Sequence, residues 1–551
     1  MKKFGLTRRG AAIGLAACMG SSISISAQSL EGMTSVVETS SGKIRGARRE
    51  GVSRFLGIRY GDDTSTVRFQ APRAASPWGG VADCLGYGAQ APQGIIRVND
   101  APAGGQRTAP GNPSVLRAVM TVAAATQSRG PESEDCLFLN VYTPDASPQR
   151  KRPVMVWLHG GGWTVGSGGI PSTDGDDLCR FGDVVVVAVN HRLNSLGYLY
   201  LGQLHADFAD SGNAGQLDIV LALRWVRDNI ANFGGDPGNV TIFGQSGGGW
   251  KVGTLLAMPP AKGLFHKAIE QSGPAVRAVE SADGAALAAR TLAALNIPPA
   301  DVHRLQSIDF RTLIRAAAGA ETGNALSDRQ ELGPTIDGRN LLAHPFDPSA
   351  TTLSLDVPLM IGSAKDENTM FMALDPAFGQ LSADEARQRF EAIGGARGGA
   401  AFELYSKRRP NDPPTYWLTS YMTDRSFGAG VIAIAERKSA QRRAKVFRYR
   451  FDFGSVLADG ALRATHGVDM PFVFRHLDGF GGMCGDGPAQ RALMQTVSTA
   501  WINFARHGDP SQHGLDWPRY DARHRATMIF NETSRVEADP DPDVRAFWMQ
   551  H

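Results

Sequence analysis

The chain of 551 residues has only five cysteines, no run of 18 consecutive apolar residues, no internal repeat and no block of like charge. Each absence removes a class of protein. Without a long apolar run, no helix spans a bilayer. Without a Pro/Ser linker, a charge block or a repeat, nothing divides the chain, and residues 28–551 are expected to form one large domain. Charge of one sign is also lacking. Lys plus Arg number 57 against 54 Asp plus Glu, a formal net of +3. Four of the basic residues, Lys2, Lys3, Arg8 and Arg9, sit in the first 27, which hold no acid, so the remainder carries 53 against 54, a net of −1. The sequence pI of 8.6 thus belongs to the unprocessed chain. No basic face is left for nucleic acid or an anionic membrane.

Those first residues are themselves patterned. A basic stretch, a short mildly apolar run from Ala11 to Ala17, and Ser24-Ile25-Ser26-Ala27 before Gln28 read as an export signal over residues 1–27. Arg8 and Arg9 ahead of a Gly/Ala-rich run suggest twin-arginine export of an already folded protein. The alternative is a lipobox ending at Cys18, which would anchor the chain by a lipid. A periplasmic or secreted location is the favoured expectation.

What is present is concentrated in two glycine-rich turns. Asn239-Val240-Thr241-Ile242-Phe243-Gly244-Gln245-Ser246-Gly247-Gly248 is a β-branched strand running into a serine between glycines, the pattern of a nucleophile elbow. Upstream, Val154-Met155-Val156-Trp157-Leu158 opens into His159-Gly160-Gly161-Gly162-Trp163, a loop whose backbone N–H groups can serve an oxyanion. A serine hydroxyl needs a base, and the base an acid to orient it. Downstream, Val357 to Ile361 leads into a loop with two acids, Asp366 and Glu367, and His466 stands in Thr465-His466-Gly467-Val468-Asp469. The order serine, acid, histidine is that of α/β-hydrolases. Strand-like runs at 154–158, 184–189, 240–243, 267–271, 357–361 and 445–450 alternate with helical stretches such as 217–231, where Ile219, Leu223 and Val226 share a face. That alternation predicts an α/β fold with a large, mainly parallel, twisted sheet covered by helices.

At these residues the chain resembles the type B carboxylesterase family, which also contains cholinesterases and bile-salt-activated lipases. Further family-like landmarks are Phe55 to Ile58, Arg68-Phe69, Ser133 to Asn140, Asn229 to Pro237, Phe265 to Gly273, Trp501 to Pro510 and Trp517 to Tyr520. The resemblance implies an α/β-hydrolase with cap insertions over an active-site gorge, acting on small-molecule esters with no metal or organic cofactor. It implies Ser246 as nucleophile, His466 as general base and Glu367, by motif position over Asp366, as the orienting acid. Gly161, Gly162 and Gly247 would donate to the oxyanion, and Ser272 matches an accessory serine near the triad. Arg68 with Glu134, and Arg192 with Asp218, match two structural ion pairs.

The departures are as informative. Gln245 stands where many relatives carry Glu, removing a negative charge beside the acyl site and arguing against choline esters. Gly247 replaces the usual Ala, His191 the usual Tyr, and Arg59 the usual Pro. Cys136 lies at a family disulfide position whose partner is here Ala91, so a Cys84–Cys136 bridge and free thiols both stay open for Cys84, Cys136, Cys179 and Cys484. Two regions, Gln93 to Glu132 with a helix at 113–126, and the Ala-rich Ser281 to Ser327, are expected to cap the gorge. Trp163, Gln245, Trp250, Met370 and Phe371 are expected to bind substrate. Other readings are a lipase, an amide or carbamate hydrolase with the same triad, or a non-catalytic cholinesterase-like binding protein.

Overall fold

The computed structural model describes residues 32–94, 112–128, 130–323 and 330–549. Residues 1–31, where the export signal is expected, and residues 95–111, 129 and 324–327 of the two cap regions, lie outside the described residues. A twelve-stranded sheet forms the centre. Its strands in chain order are β1 (Gly32–Met33), β2 (Ala47–Arg49), β3 (Val52–Arg59), β4 (Phe138–Thr143), β5 (Arg152–Leu158), β6 (Val185–Val189), β7 (Gly235–Gln245), β8 (Lys267–Gln271), β9 (Leu359–Ala364), β10 (Val446–Phe451), β11 (Ala526–Phe530) and β12 (Arg535–Ala538). They are ordered β1-β2-β3-β4-β6-β5-β7-β8-β9-β10-β11-β12. From β6 through β11 every neighbouring pair is parallel; the flanking pairs are antiparallel.

The middle strands read as continuous apolar runs because helices cover both faces. Every residue of β5, β6 and β8 is buried. A helix over Ala214–Asn229 (α2) places Ile219, Leu223 and Val226 in the core, as its periodicity predicts. It continues as a tight turn to Phe233 and stops at Gly234, whose φ of +81° closes the helix end. β8 has the expected bounds, and the other five expected strands differ by one to five residues at one end or both. β9 begins at Leu359 because Pro358 has no N–H to give the ladder, and it runs on through Gly362 and Ser363, which pair with Tyr449 and Arg450. β7 begins at Gly235, across a register shift against β5.

Both expected ion pairs form. Arg192 grips Asp218 with side chain and backbone N–H, both residues buried, and Arg68 Nε donates to Glu134 at 2.7 Å. All four cysteines in the described residues are free and buried, so no Cys84–Cys136 bridge forms. The first cap region contributes a helix over Pro113–Ala125 (α1), capped by Asn112. The second contributes Ser281–Ala294 (α4) and Phe310–Ala320 (α5), whose Leu287, Leu292 and Leu313 pack in one apolar cluster with Trp163. No helix among the described residues is long and apolar enough to cross a membrane.

Candidate active site

Ser246 ends β7 at φ +58°, ψ −126°, immediately before the helix Gly247–Leu255 (α3). Its N–H donates to Gln271 O on β8 at 2.8 Å, which ties the turn to the sheet. A Cβ on Gly248 would stand 2.0 Å from Leu158 O, and one on Gly247 2.3 Å from Gly162 O. Elbow and glycine loop are therefore in backbone contact, and no side chain fits between them. Gly161 and Gly162 have φ of +91° and +62°. Among the described residues, no acceptor takes the N–H of Gly161, Gly162 or Gly247. The three donors are adjacent and unspent.

The loop is held from below. Lys251 on α3 is fully buried, and its Nζ donates to His159 O at 2.9 Å and Gly162 O at 3.0 Å, bracketing Gly160 and Gly161. Among the described residues no carboxylate pairs with it, and burial pushes its pKa down to about 7. The His159 ring stacks on His191 with centroids 4.7 Å apart and planes 5° apart. Burial, then the Lys251 charge, holds both imidazoles well below the usual histidine range. His191, which stands where Tyr is usual, thus lies one ring away from the loop.

His466 Nδ1 lies 2.5 Å from Glu367 Oε2. Glu367 is fully buried, and its Oε1 accepts the Ala364 N–H at 2.6 Å, so the carboxylate is aimed by the end of β9. Asp366 turns away to Arg409 at 2.7 Å. Donation from Nδ1 leaves the lone pair on Nε2, which faces the Gln245 amide nitrogen at 3.2 Å. Phe371 and Phe427 flank the imidazole at 5.1 and 5.0 Å.

The model for the carboxylesterase family matches residues 33–548. The chain belongs to the carboxylesterase family. It is 34% identical over 517 residues to the para-nitrobenzyl esterase of Bacillus subtilis, covering 93% of this chain and 97% of that protein. It is 31% identical to the phenmedipham hydrolase of Pseudarthrobacter oxydans, covering 92% and 98%. Its fold matches that of a Geobacillus stearothermophilus carboxylesterase with a TM-score of 0.79 at 36% identity, covering 93% and 99%. This carboxylesterase is an α/β-hydrolase that hydrolyses carboxylic esters.

A cavity of about 740 Å³ opens over the elbow, lined by Ser246, His466, Trp163, Trp250, Met370 and Phe371 among others. Gln245 and Val122 of α1 also reach it. The volume is that of a pocket for a small molecule. Ser272 does not line it: the residue is buried behind the elbow at φ +49°, its N–H on Gly362 O at 2.8 Å and its Oγ without a partner. Two buried charged groups escaped the sequence reading. Lys251 had a legible signal, a lone cation inside a glycine and apolar helix. Asp469 lies beneath His466, accepts from Gln271 at 2.8 Å and Tyr449 at 3.2 Å, and is pushed up to about 6 mainly by burial. It stands in the histidine motif, but only the fold shows that it is buried.

Proposed function

We propose that this carboxylesterase hydrolyses esters of small to medium acyl or aryl groups through an acyl-enzyme formed on Ser246. The observation that carries the reading is His466 bonded to buried Glu367 at Nδ1 in the same cavity as the elbow serine and the unspent N–H groups of Gly161 and Gly162, with Gly247 packed against Gly162. His466 Nε2 takes the hydroxyl proton as Ser246 Oγ bonds to the carbonyl carbon. The carbonyl oxygen, now an alkoxide, accepts from Gly161, Gly162 and Gly247. Collapse breaks the ester C–O bond, and the imidazolium returns its proton to the leaving alcohol. Water then attacks the acyl-enzyme by the same sequence and releases the acid. The Gln245 amide shares Nε2 in the resting site and must yield it as the proton moves. Trp163, Trp250, Met370 and Phe371 would bind the acyl or alcohol group. An esterase from anaerobic Clostridium hathewayi that can hydrolyse aliphatic aromatic polyesters, 31% identical to this chain with a TM-score of 0.72, makes aromatic diesters apt probes.

The test is hydrolysis of p-nitrophenyl acetate, butyrate, octanoate and palmitate by the purified mature protein. Activity is expected to peak below palmitate, to vanish in Ser246→Ala and to fall at least ~10²- to 10⁴-fold in His466→Ala. Wild-type-like rates in either variant would overturn the assignment, and a maximum at palmitate would favour a lipase. We also infer export on the strength of the residue 1–27 pattern; N-terminal sequencing that finds Gln28 supports it, and a lipid-modified Cys18 replaces it with a membrane anchor.

A further inference from the structure

The strongest feature outside the gorge is a meeting of three side chains from two distant segments. His205 and Asp207 lie in the turn between β6 and α2, while His303 lies in the 3₁₀ segment Pro299–Ser307 between α4 and α5 of the cap. One nitrogen of each imidazole and one Asp207 oxygen fall within 4.8 Å of one another. His205 Nδ1 is 3.5 Å and His303 Nε2 3.7 Å from Asp207 Oδ2.

The hydrogen bonds around the cluster decide what fills it. The Asp207 N–H donates to His205 Nδ1 at 3.2 Å, so that nitrogen is unprotonated and would exchange this one local hydrogen bond for a metal. His303 Nδ1 faces the Gln306 amide oxygen at 3.5 Å, where it must be the donor; in the neutral ring the lone pair then falls on Nε2, toward Asp207. Two imidazole nitrogens and a carboxylate oxygen thus meet within the span of a metal's donor set. The separations suit a metal. Tetrahedral zinc with bonds of about 2.0–2.1 Å holds its ligand atoms about 3.4 Å apart, so small side-chain rotations suffice. Gln306 would act as the outer partner that fixes the ring of a ligating histidine. The rings are already steadied, His303 4.4 Å from His205 and 4.9 Å from Phe208, whose side chain is fully buried.

We propose that His205, Asp207 and His303 form a surface site for a divalent transition metal, Zn²⁺ by ligand chemistry, that staples the cap to the central domain. Two imidazoles and a carboxylate favour zinc over magnesium, which prefers an all-oxygen shell. Water completes the exposed coordination positions. The staple sits one apolar cluster from the gorge, because Phe208 and Val302 pack in the group that contains Trp163. It plays no part in acyl transfer.

The experiment is calorimetric titration of tag-free, chelator-stripped protein with Zn²⁺, alongside His303→Ala, Asp207→Asn and Gln306→Ala. A saturable site is expected in the wild type, with affinity falling more than ~10-fold in the two ligand variants and by up to ~10-fold in Gln306→Ala. The unfolding temperature should rise with Zn²⁺ in the wild type, less in Gln306→Ala and not in His303→Ala or Asp207→Asn, and Mg²⁺ should neither bind nor stabilise. All variants should keep metal-free p-nitrophenyl butyrate activity, which shows that they fold. Absence of saturable binding, or a site that survives in both His303→Ala and Asp207→Asn, would overturn the proposal.

Discussion

At the scale of single residues, the site couples a buried cation to a backbone loop. Lys251 reaches the carbonyls on either side of Gly160 and Gly161, so its head group fixes where the loop's N–H groups point. Its proton is held only below about pH 7, and above that the amine is neutral. Lys251→Met is therefore expected to lower kcat about tenfold at pH 6.5 with KM little changed, since the lysine acts on the loop and not on substrate. The loss should shrink toward pH 9, where the wild type has already given up the charge. Steady-state kinetics across that range check it, and an equal loss at both ends would assign Lys251 to packing alone. Gln245 offers a second test. Its amide faces both the cavity and His466, so Gln245→Glu should raise kcat/KM for a cationic ester relative to its neutral isostere, and the gain should fade as salt rises.

At the scale of elements, the loop that carries His466 is anchored by the turn that follows it. His476 Nε2 lies 3.2 Å from Asp177 and 3.6 Å from Asp174, and its Nδ1 meets Ser172 O at 3.0 Å. Burial alone would push this imidazole down; Asp177 and Asp174 outweigh it and raise the pKa to about 9. The folded value exceeds the unfolded one, so the stabilisation is complete below about pH 6.5 and lost as pH rises through 9. With Asp177 partly exposed, it is discounted to about 2 kcal/mol. His476→Gln should lower the unfolding temperature at pH 6 and leave it little changed at pH 9.5, as calorimetry can show.

Elements were also where the sequence was most legible. Val154 to Leu158 and Val185 to Val189 announce central parallel strands because burial on both faces demands unbroken apolar runs. The elbow, glycine loop and acid loop are local in sequence, so their residue types could be read. What could not be read is long-range. Nothing local tells that Asp366 leaves for Arg409 while its neighbour Glu367 meets His466. Nothing local tells that Ser272 lies outside the cavity lining, or that Lys251 and His191 converge under the loop.

At the scale of the whole molecule, the sheet and its covering helices are joined by ionic contacts as well as apolar ones. Arg192 and Asp218 are sealed inside, and among the described residues each is the other's only full charge partner by hydrogen bond. Asp218→Asn leaves a guanidinium buried with half its acceptors gone, and is expected to cost about 3–5 kcal/mol. Denaturant unfolding that shifts its midpoint with an unchanged slope would confirm a global loss.

The four described cysteines are free, buried and shielded: burial raises the Cys84 thiol to about 11 and pushes Cys136, Cys179 and Cys484 up as well. At neutral pH almost none is thiolate, and none is linked. The folded state thus contains no electrochemical term. Its stability is expected to be the same in dithiothreitol as in a disulfide-forming buffer, so this enzyme can be assembled on one side of a redox boundary and work on the other without changing a bond.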